Sequence, residues 1–169
     1  MTDKPNQIYN LDEMGVCPDP TRARVIAGNK QTGVHRTDQG SGRDNTTVMG
    51  CVSAAGKCLP PLFIFKAVNL WSTWKGEEDI PGTFYAVSES GFINTDIFFD
   101  WINHFSRQVQ ERPLVLIVDG YVSHLSCKTV VFAKQQQITI IKLPSHTTDL
   151  LQPLDRSCFG PFKTYCDAS

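Results

Sequence analysis

Leu114-Val-Leu-Ile-Val-Asp-Gly-Tyr121 is the stretch that decides the fold. Five apolar residues in a row, three of them β-branched, are what a strand covered on both faces requires, since neither side can face water. The run delivers Asp119-Gly120 at its carboxyl end. Downstream, Ser123 is placed to cap a helix reaching about Gln135, and Ile138-Thr-Ile-Ile141 reads as the next buried strand. A strand, a short helix and a second strand make a right-handed parallel crossover. Upstream, Ile97, Trp101, Phe105 and Val109 recur at four-residue steps, flanked by Phe98 and Ile102. That period predicts a helix capped by Asn94 or Thr95 and stopped by Pro113.

Further out the signals change. Thr46-Thr-Val-Met-Gly-Cys-Val-Ser53, the turn Ala54-Ala-Gly-Lys57 and Leu62-Phe-Ile-Phe65 read as an antiparallel hairpin. Lys66 to Ser90 has no clear period and is expected to be loop. Gln7-Ile-Tyr-Asn-Leu11 is a short strand running directly into Asp12-Glu13. Between Met14 and Arg43 the chain is polar and Gly-rich, an irregular excursion with one short strand expected near Arg24-Val-Ile-Ala27. Pro144 opens an extended loop from Ser145 to Pro153 that leads to Asp155 and a short helical tail.

Composition sets the outer bounds. With 169 residues, 41% hydrophobic and 20% charged, the chain is expected to be one domain with a core of its own. Sixteen basic against seventeen acidic residues argue against a strongly basic DNA-coating protein, while leaving room for a local basic patch. The sequence shows no apolar run of membrane-spanning length and no signal-peptide segment at its start. The six cysteines, at 17, 51, 58, 127, 158 and 166, form no CxxC pair. Their scatter argues against a structural zinc site and for reduced thiols in an intracellular protein.

Three acids stand where composition does not require them. Asp12 ends the first apolar strand, Asp119 ends the most hydrophobic one, and Asp155 follows Leu150-Leu-Gln-Pro-Leu154. If the first and fourth strands lie side by side, Asp12 and Asp119 project from neighbouring strand ends and Asp155 closes the group from the terminal helix. Carboxylates gathered without a basic partner repel one another, and a divalent cation removes that cost. Magnesium suits such a site because it takes oxygen ligands and keeps positions for water and phosphate. Two ions can clamp the attacking and leaving oxygens of an in-line displacement at phosphorus. Each acid taken singly also reads as a turn or cap residue.

Beyond single residues, five blocks in order carry a family resemblance. Tyr9-Asn-Leu-Asp-Glu-Met-Gly15, Leu116-Ile-Val-Asp-Gly-Tyr-Val-Ser-His124 and Leu143-Pro-Ser-His-Thr-Thr-Asp-Leu-Leu-Gln-Pro-Leu-Asp155 with Phe159-Gly-Pro-Phe-Lys163 resemble the three catalytic blocks of the DDE-superfamily endonuclease domain. The form they resemble is that of pogo- and Tigger-type transposases of the mariner superfamily. Val52–Gly56 with Leu59–Phe63, and Ser90–Ile93 with Trp101 and Phe105, match the intervening pattern. The 35 residues between Asp119 and Asp155 are a spacing typical of such D…D…D sites.

The resemblance implies a ribonuclease H-like α/β fold: a mixed five-stranded sheet, three antiparallel strands and then parallel ones, flanked by helices. It makes Asp12, Asp119 and Asp155 the catalytic, metal-binding triad for Mg2+ or Mn2+, as two ions. The implied reaction is phosphodiester hydrolysis at transposon ends, followed by attack of the freed 3′-hydroxyl on target DNA. DNA is thus the expected partner and the nucleus the expected location; a homodimer is compatible with it and a membrane is not expected. The alternative is a transposon-derived nuclear protein whose domain serves as a DNA-associated or partner-binding module without catalysis.

Two departures bear on activity. Asp119-Gly120-Tyr121 stands where relatives often have Asp-Asn, and Asp149 where they often carry a neutral residue or His. Glu13, His124 and His146 are placed to support the site; Glu13 also reads as a solvated acid beside a strand end, His124 as a hydrogen-bonding residue at a helix start, and His146 as a loop-stabilising residue. Arg22, Arg24, Lys30, Arg36 and Arg43 are plausible DNA-backbone contacts, although loop charges of this kind are commonly a solvated face. Trp71 and Trp74 could stack on bases or pack at a rim. Residues 1–169 read as a single catalytic core without the N-terminal helix-turn-helix units that give transposases sequence-specific recognition. The expectation is a core detached from its targeting module, binding DNA weakly by itself.

Overall fold

A computed structural model describes residues 4–16, 46–76, 79–119, 125–144, 152–162 and 164, with only the backbone of 155 and 156. Six strands build one sheet: β1 (Ile8–Val16), β2 (Thr46–Ser53), β3 (Leu62–Lys66), β4 (Phe84–Ser88), β5 (Leu114–Val118) and β6 (Ile138–Lys142), in the order β4-β3-β2-β1-β5-β6. Helix α1 spans Thr95–Gln108 and helix α2 Cys127–Gln135. β2 runs antiparallel to both of its neighbours, β1 and β3, while β5 runs parallel to β1 and β6 parallel to β5.

The sheet has six strands where five are expected. The extra one, β4, lies within the Lys66–Ser90 stretch read as loop and adds to the edge, parallel to β3. Its first four residues are all half-buried. Phe84-Tyr-Ala-Val87 is a short apolar run without alternation, a pattern that by itself does not tell a strand from other buried structure. β1 is also longer than expected. Asp12 sits inside it, paired across to Gly50 of β2, rather than at its end.

The helices form where their period places them. Asn94 caps α1, its Oδ1 accepting from the amides of Asp96 and Ile97 at 3.1 and 2.9 Å. The helix buries Ile97, Phe98, Trp101, Ile102 and Phe105 against one face of the sheet. There Phe105 meets the Tyr9 ring edge-on at 5.4 Å and stacks on Trp101 at 5.2 Å. α2 is capped by Ser126, whose hydroxyl accepts from the Thr129 amide at 3.1 Å, three residues later than the sequence suggests. Ser123 and the Arg24–Ala27 segment lie outside the described residues.

Candidate active site

Strand alternation assigns the residues of β1 to two faces. Tyr9 and Leu11 enter the large core under α1, while Met14 joins a smaller cluster with Val48, Leu154 and Phe159. Asn10 and Asp12 share the parity of Met14 and therefore the second face. Both are buried, at 6% and 7% exposure, and an aspartate so covered in the middle of a central strand is unusual.

Asp119 arrives from the adjacent strand. The β1–β5 register pairs Ile8 with Val115, Tyr9 with Leu116 and Asn10 with Ile117. Two further steps in the same register bring Asp12 alongside Asp119, which is half-buried just past the end of β5. The electrostatics agree with this nearness. The Glu13 carboxyl is pushed from 4.5 up to about 7, by burial first and then by the charges of Asp119 and Asp12. The Glu13 amide donates to Oδ1 of Asp12 at 2.9 Å.

The third acid is carried by a segment docked on the Asp12 face. Gln152, fully buried, donates from Nε2 to the Leu11 carbonyl at 3.0 Å and accepts at Oε1 from Nδ2 of Asn10 at 2.7 Å. Asn10 Nδ2 also reaches the Ile117 carbonyl at 3.4 Å, across the β1–β5 seam. Leu154 is buried in the Met14 cluster, and Phe159 covers Gly50, the cross-strand partner of Asp12. A β-carbon at Gly50 would lie 3.3 Å from the Phe159 ring, so a residue without one is what lets the segment lie this close. Between these anchors the backbone widens into a π-helical turn, Asp155–Phe159. Such turns recur at functional sites.

Asp12, Asp119 and the Asp155 backbone therefore come to one end of the β1–β5 pair, and Glu13 with them. Among the described residues no group of three His, Cys, Asp or Glu side chains converges as a metal centre; that set does not include the Asp155 side chain. The donors that are described fit a hard divalent cation, being carboxylate oxygens whose mutual repulsion already shows at Glu13. His124, His146, Asp149, Gly120, Tyr121, Arg22, Arg24, Lys30, Arg36 and Arg43 lie outside the described residues. Trp74 packs on Phe65 at 4.8 Å, as a rim residue does, and Trp71 is 63% exposed.

Sequence reasoning missed Asn10, Gly50 and Gln152. The signal was present for two of them, a lone amide in each of the apolar runs that lead to an acid: Ile8-Tyr-Asn-Leu11 and Leu150-Leu-Gln-Pro-Leu154. Gly50 shows only as a glycine inside a strand, a mark of close backbone approach.

The model of the DDE superfamily endonuclease domain matches residues 43–168, about three quarters of the chain. The chain belongs to this family. Among curated proteins, this DDE domain is 32% identical over 162 residues to the "MFS-type transporter clz9" of Cochliobolus lunatus, covering 92% of the chain and 18% of that protein. It is 22% identical over 167 residues to "CENP-B homolog protein 2" of Schizosaccharomyces pombe, covering 95% of the chain and 32% of that protein. The chain thus spans a third or less of the length of these relatives. The Mos1 mariner paired-end complex with Mn contains a similar fold, with a TM-score of 0.62 at 13% identity, over 98% of the chain and 44% of the Mos1 chain. The fold of the DDE domain is the ribonuclease H-like one. No helix among its described residues is long and apolar enough to cross a membrane.

Proposed function

We propose that this DDE domain is the catalytic core of a pogo/Tigger-like transposase, cutting DNA at transposon ends and joining the 3′-hydroxyl ends to target DNA. Asp12, Asp119 and Asp155 would hold the divalent cations, magnesium or manganese, as two ions. The observation that supports this best is the parallel register of β1 and β5, which runs toward Asp12 and Asp119, with the Asp155 turn docked on the Asp12 face. When bound, the cations would neutralise the carboxylates and stabilise charge on the phosphate oxygens during in-line displacement. The chain's own contribution is to hold the acids rigidly and partly out of water. Hydrolysis and strand transfer differ only in the attacking hydroxyl, water in one and a DNA 3′-end in the other, so one site serves both.

His124 and His146 are proposed to support the site, and Arg22, Arg24, Lys30, Arg36 and Arg43 to contact the DNA backbone. We place the protein in the nucleus, with residues 1–169 forming one domain. Similarity to CENP-B homolog protein 2 favours a second reading, a nuclear module of transposon origin that binds DNA or a partner without catalysis. A plasmid nicking assay separates the two. Cleavage that requires magnesium or manganese and disappears in Asp119→Asn is the result expected of the enzyme. DNA binding without cleavage, equal in both proteins, would favour the module.

A further inference from the structure

The polar groups on the Asp12 face form a chain with a direction. The Gln152 amide donates to the Leu11 carbonyl, its oxygen accepts from Asn10, and Asn10 donates onward to the Ile117 carbonyl. Donor and acceptor roles are fixed all along it, because each backbone carbonyl demands an N–H. The chain spans the seam between the strand that carries Asp12 and the strand that leads to Asp119. Its far end is the residue three before Asp155.

Fixing a helix here would not require amides. Leu154 and Phe159 already supply apolar contact with Met14, Val48 and the Gly50 strand. Two buried amides add a desolvation cost, and Asn10 Oδ1 is buried with no hydrogen-bond partner among the described residues. What amides provide that apolar packing does not is register. A hydrogen bond to one carbonyl holds a segment to within a fraction of an ångström, whereas an apolar cluster tolerates sliding.

We infer that Gln152, acting with Asn10, is a positioning residue: its hydrogen bonds to β1 set where the Asp155 turn stands relative to Asp12 and Asp119. The inference rests on the proposed metal-binding role of the three acids. Gln152 touches neither metal nor DNA and acts only through Asp155. Support of this kind for a metal ligand is worth roughly ten- to a hundredfold in metal affinity.

A thermodynamic cycle tests it. Mn2+ is titrated by calorimetry into the full chain as wild type, Asp119→Asn, Asp155→Asn, Gln152→Met and the Gln152→Met/Asp155→Asn double variant. Circular dichroism and thermal melts of the metal-free proteins run alongside. Gln152→Met fills the space without hydrogen bonds. Gln152→Asn keeps the amide one methylene too short and serves where the methionine variant does not fold. The expected result is about tenfold weaker Mn2+ binding in either Gln152 variant, with a native-like melt. The double variant should bind no more weakly than Asp155→Asn alone. A purely structural residue would lower the melt without this non-additivity. Losses that multiply in the double variant, or unchanged affinity in both Gln152 variants while Asp119→Asn weakens binding, would overturn the positioning role and leave the metal site standing. Wild type and Asp119→Asn binding Mn2+ alike would overturn the metal site, and the positioning role with it.

Discussion

The two faces of the central sheet are built on different terms. The α1 face is mainly apolar, with Tyr9, Leu11, Trp101, Ile102, Phe105 and Leu116 buried in one cluster beside the hydrogen-bonded hydroxyls of Thr47 and Ser53. The opposite face carries a small apolar cluster of Met14, Val48, Leu154 and Phe159, and beside it Asn10, Asp12 and Gln152, all polar and all buried. The first face gains stability from area removed from water. The second gives some of it back in desolvated amides and a buried carboxylate. One strand, β1, serves both, because successive side chains point to opposite sides. The sheet is thus a partition: apolar burial dominates one side, and the buried amides and the Asp12 carboxylate lie on the other.

Breaking the apolar face should have the largest effect. Phe105→Ala removes a ring that both Tyr9 and Trp101 contact. It is expected to cost about 3–5 kcal/mol, a large share of a typical domain's stability, and is measured by urea unfolding. The polar face should answer in the opposite way. Asp12→Asn is expected to lower metal-dependent nicking by roughly a hundredfold or more while the metal-free melting temperature holds or rises, since one repelling charge is gone. If Asp12→Asn instead unfolds the protein, the two faces are not divided as described.

Smaller effects sharpen the boundary. Gly50→Leu drives a side chain into the Phe159 ring and should cost about 1–3 kcal/mol. Hydrogen exchange should quicken over residues 152–162 and stay unchanged in α1. The smallest effect is a pH dependence. The Glu13 carboxyl titrates near 7 in the folded protein against an ordinary 4.5, so its favourable contribution is complete below 4.5 and is lost as pH rises to about 7. Without metal, Glu13→Gln should match wild type near pH 4.5 and melt higher than it at pH 8. A constant difference across that range would mean that Glu13 is neither buried nor held against Asp119 and Asp12 as described.

What could be read from the sequence divides along the same line. β5 and α1 were legible because a continuous apolar run, buried on one face and half-buried on the other, and a helix buried on one face leave distinct patterns, and Asn94 caps the helix chemically. β2 and β3 were legible from their turn. β4 was not, because the four apolar residues Phe84-Tyr-Ala-Val87 do not alternate, and so short a run is ambiguous. The middle of β1 was misread for a related reason: a charged residue after an apolar run looks like the strand's end, and only pairing with Gly50 shows that the strand continues. Asp12 and Asp119 could be singled out, since acids at the ends of apolar runs are conspicuous. The Asn10–Gln152 link could not, because it joins residues far apart in sequence and has no periodicity at all.

We propose that folding gathers Asp12, Asp119 and Asp155 around divalent cations. Crystals of the protein soaked in manganese, with data collected at the manganese absorption edge, test it most directly. Anomalous density is expected between the carboxylates of Asp12 and Asp119, with the Asp155 carboxylate as a further ligand. Density elsewhere, or an Asp155 side chain facing solvent on another side of the sheet, would contradict it.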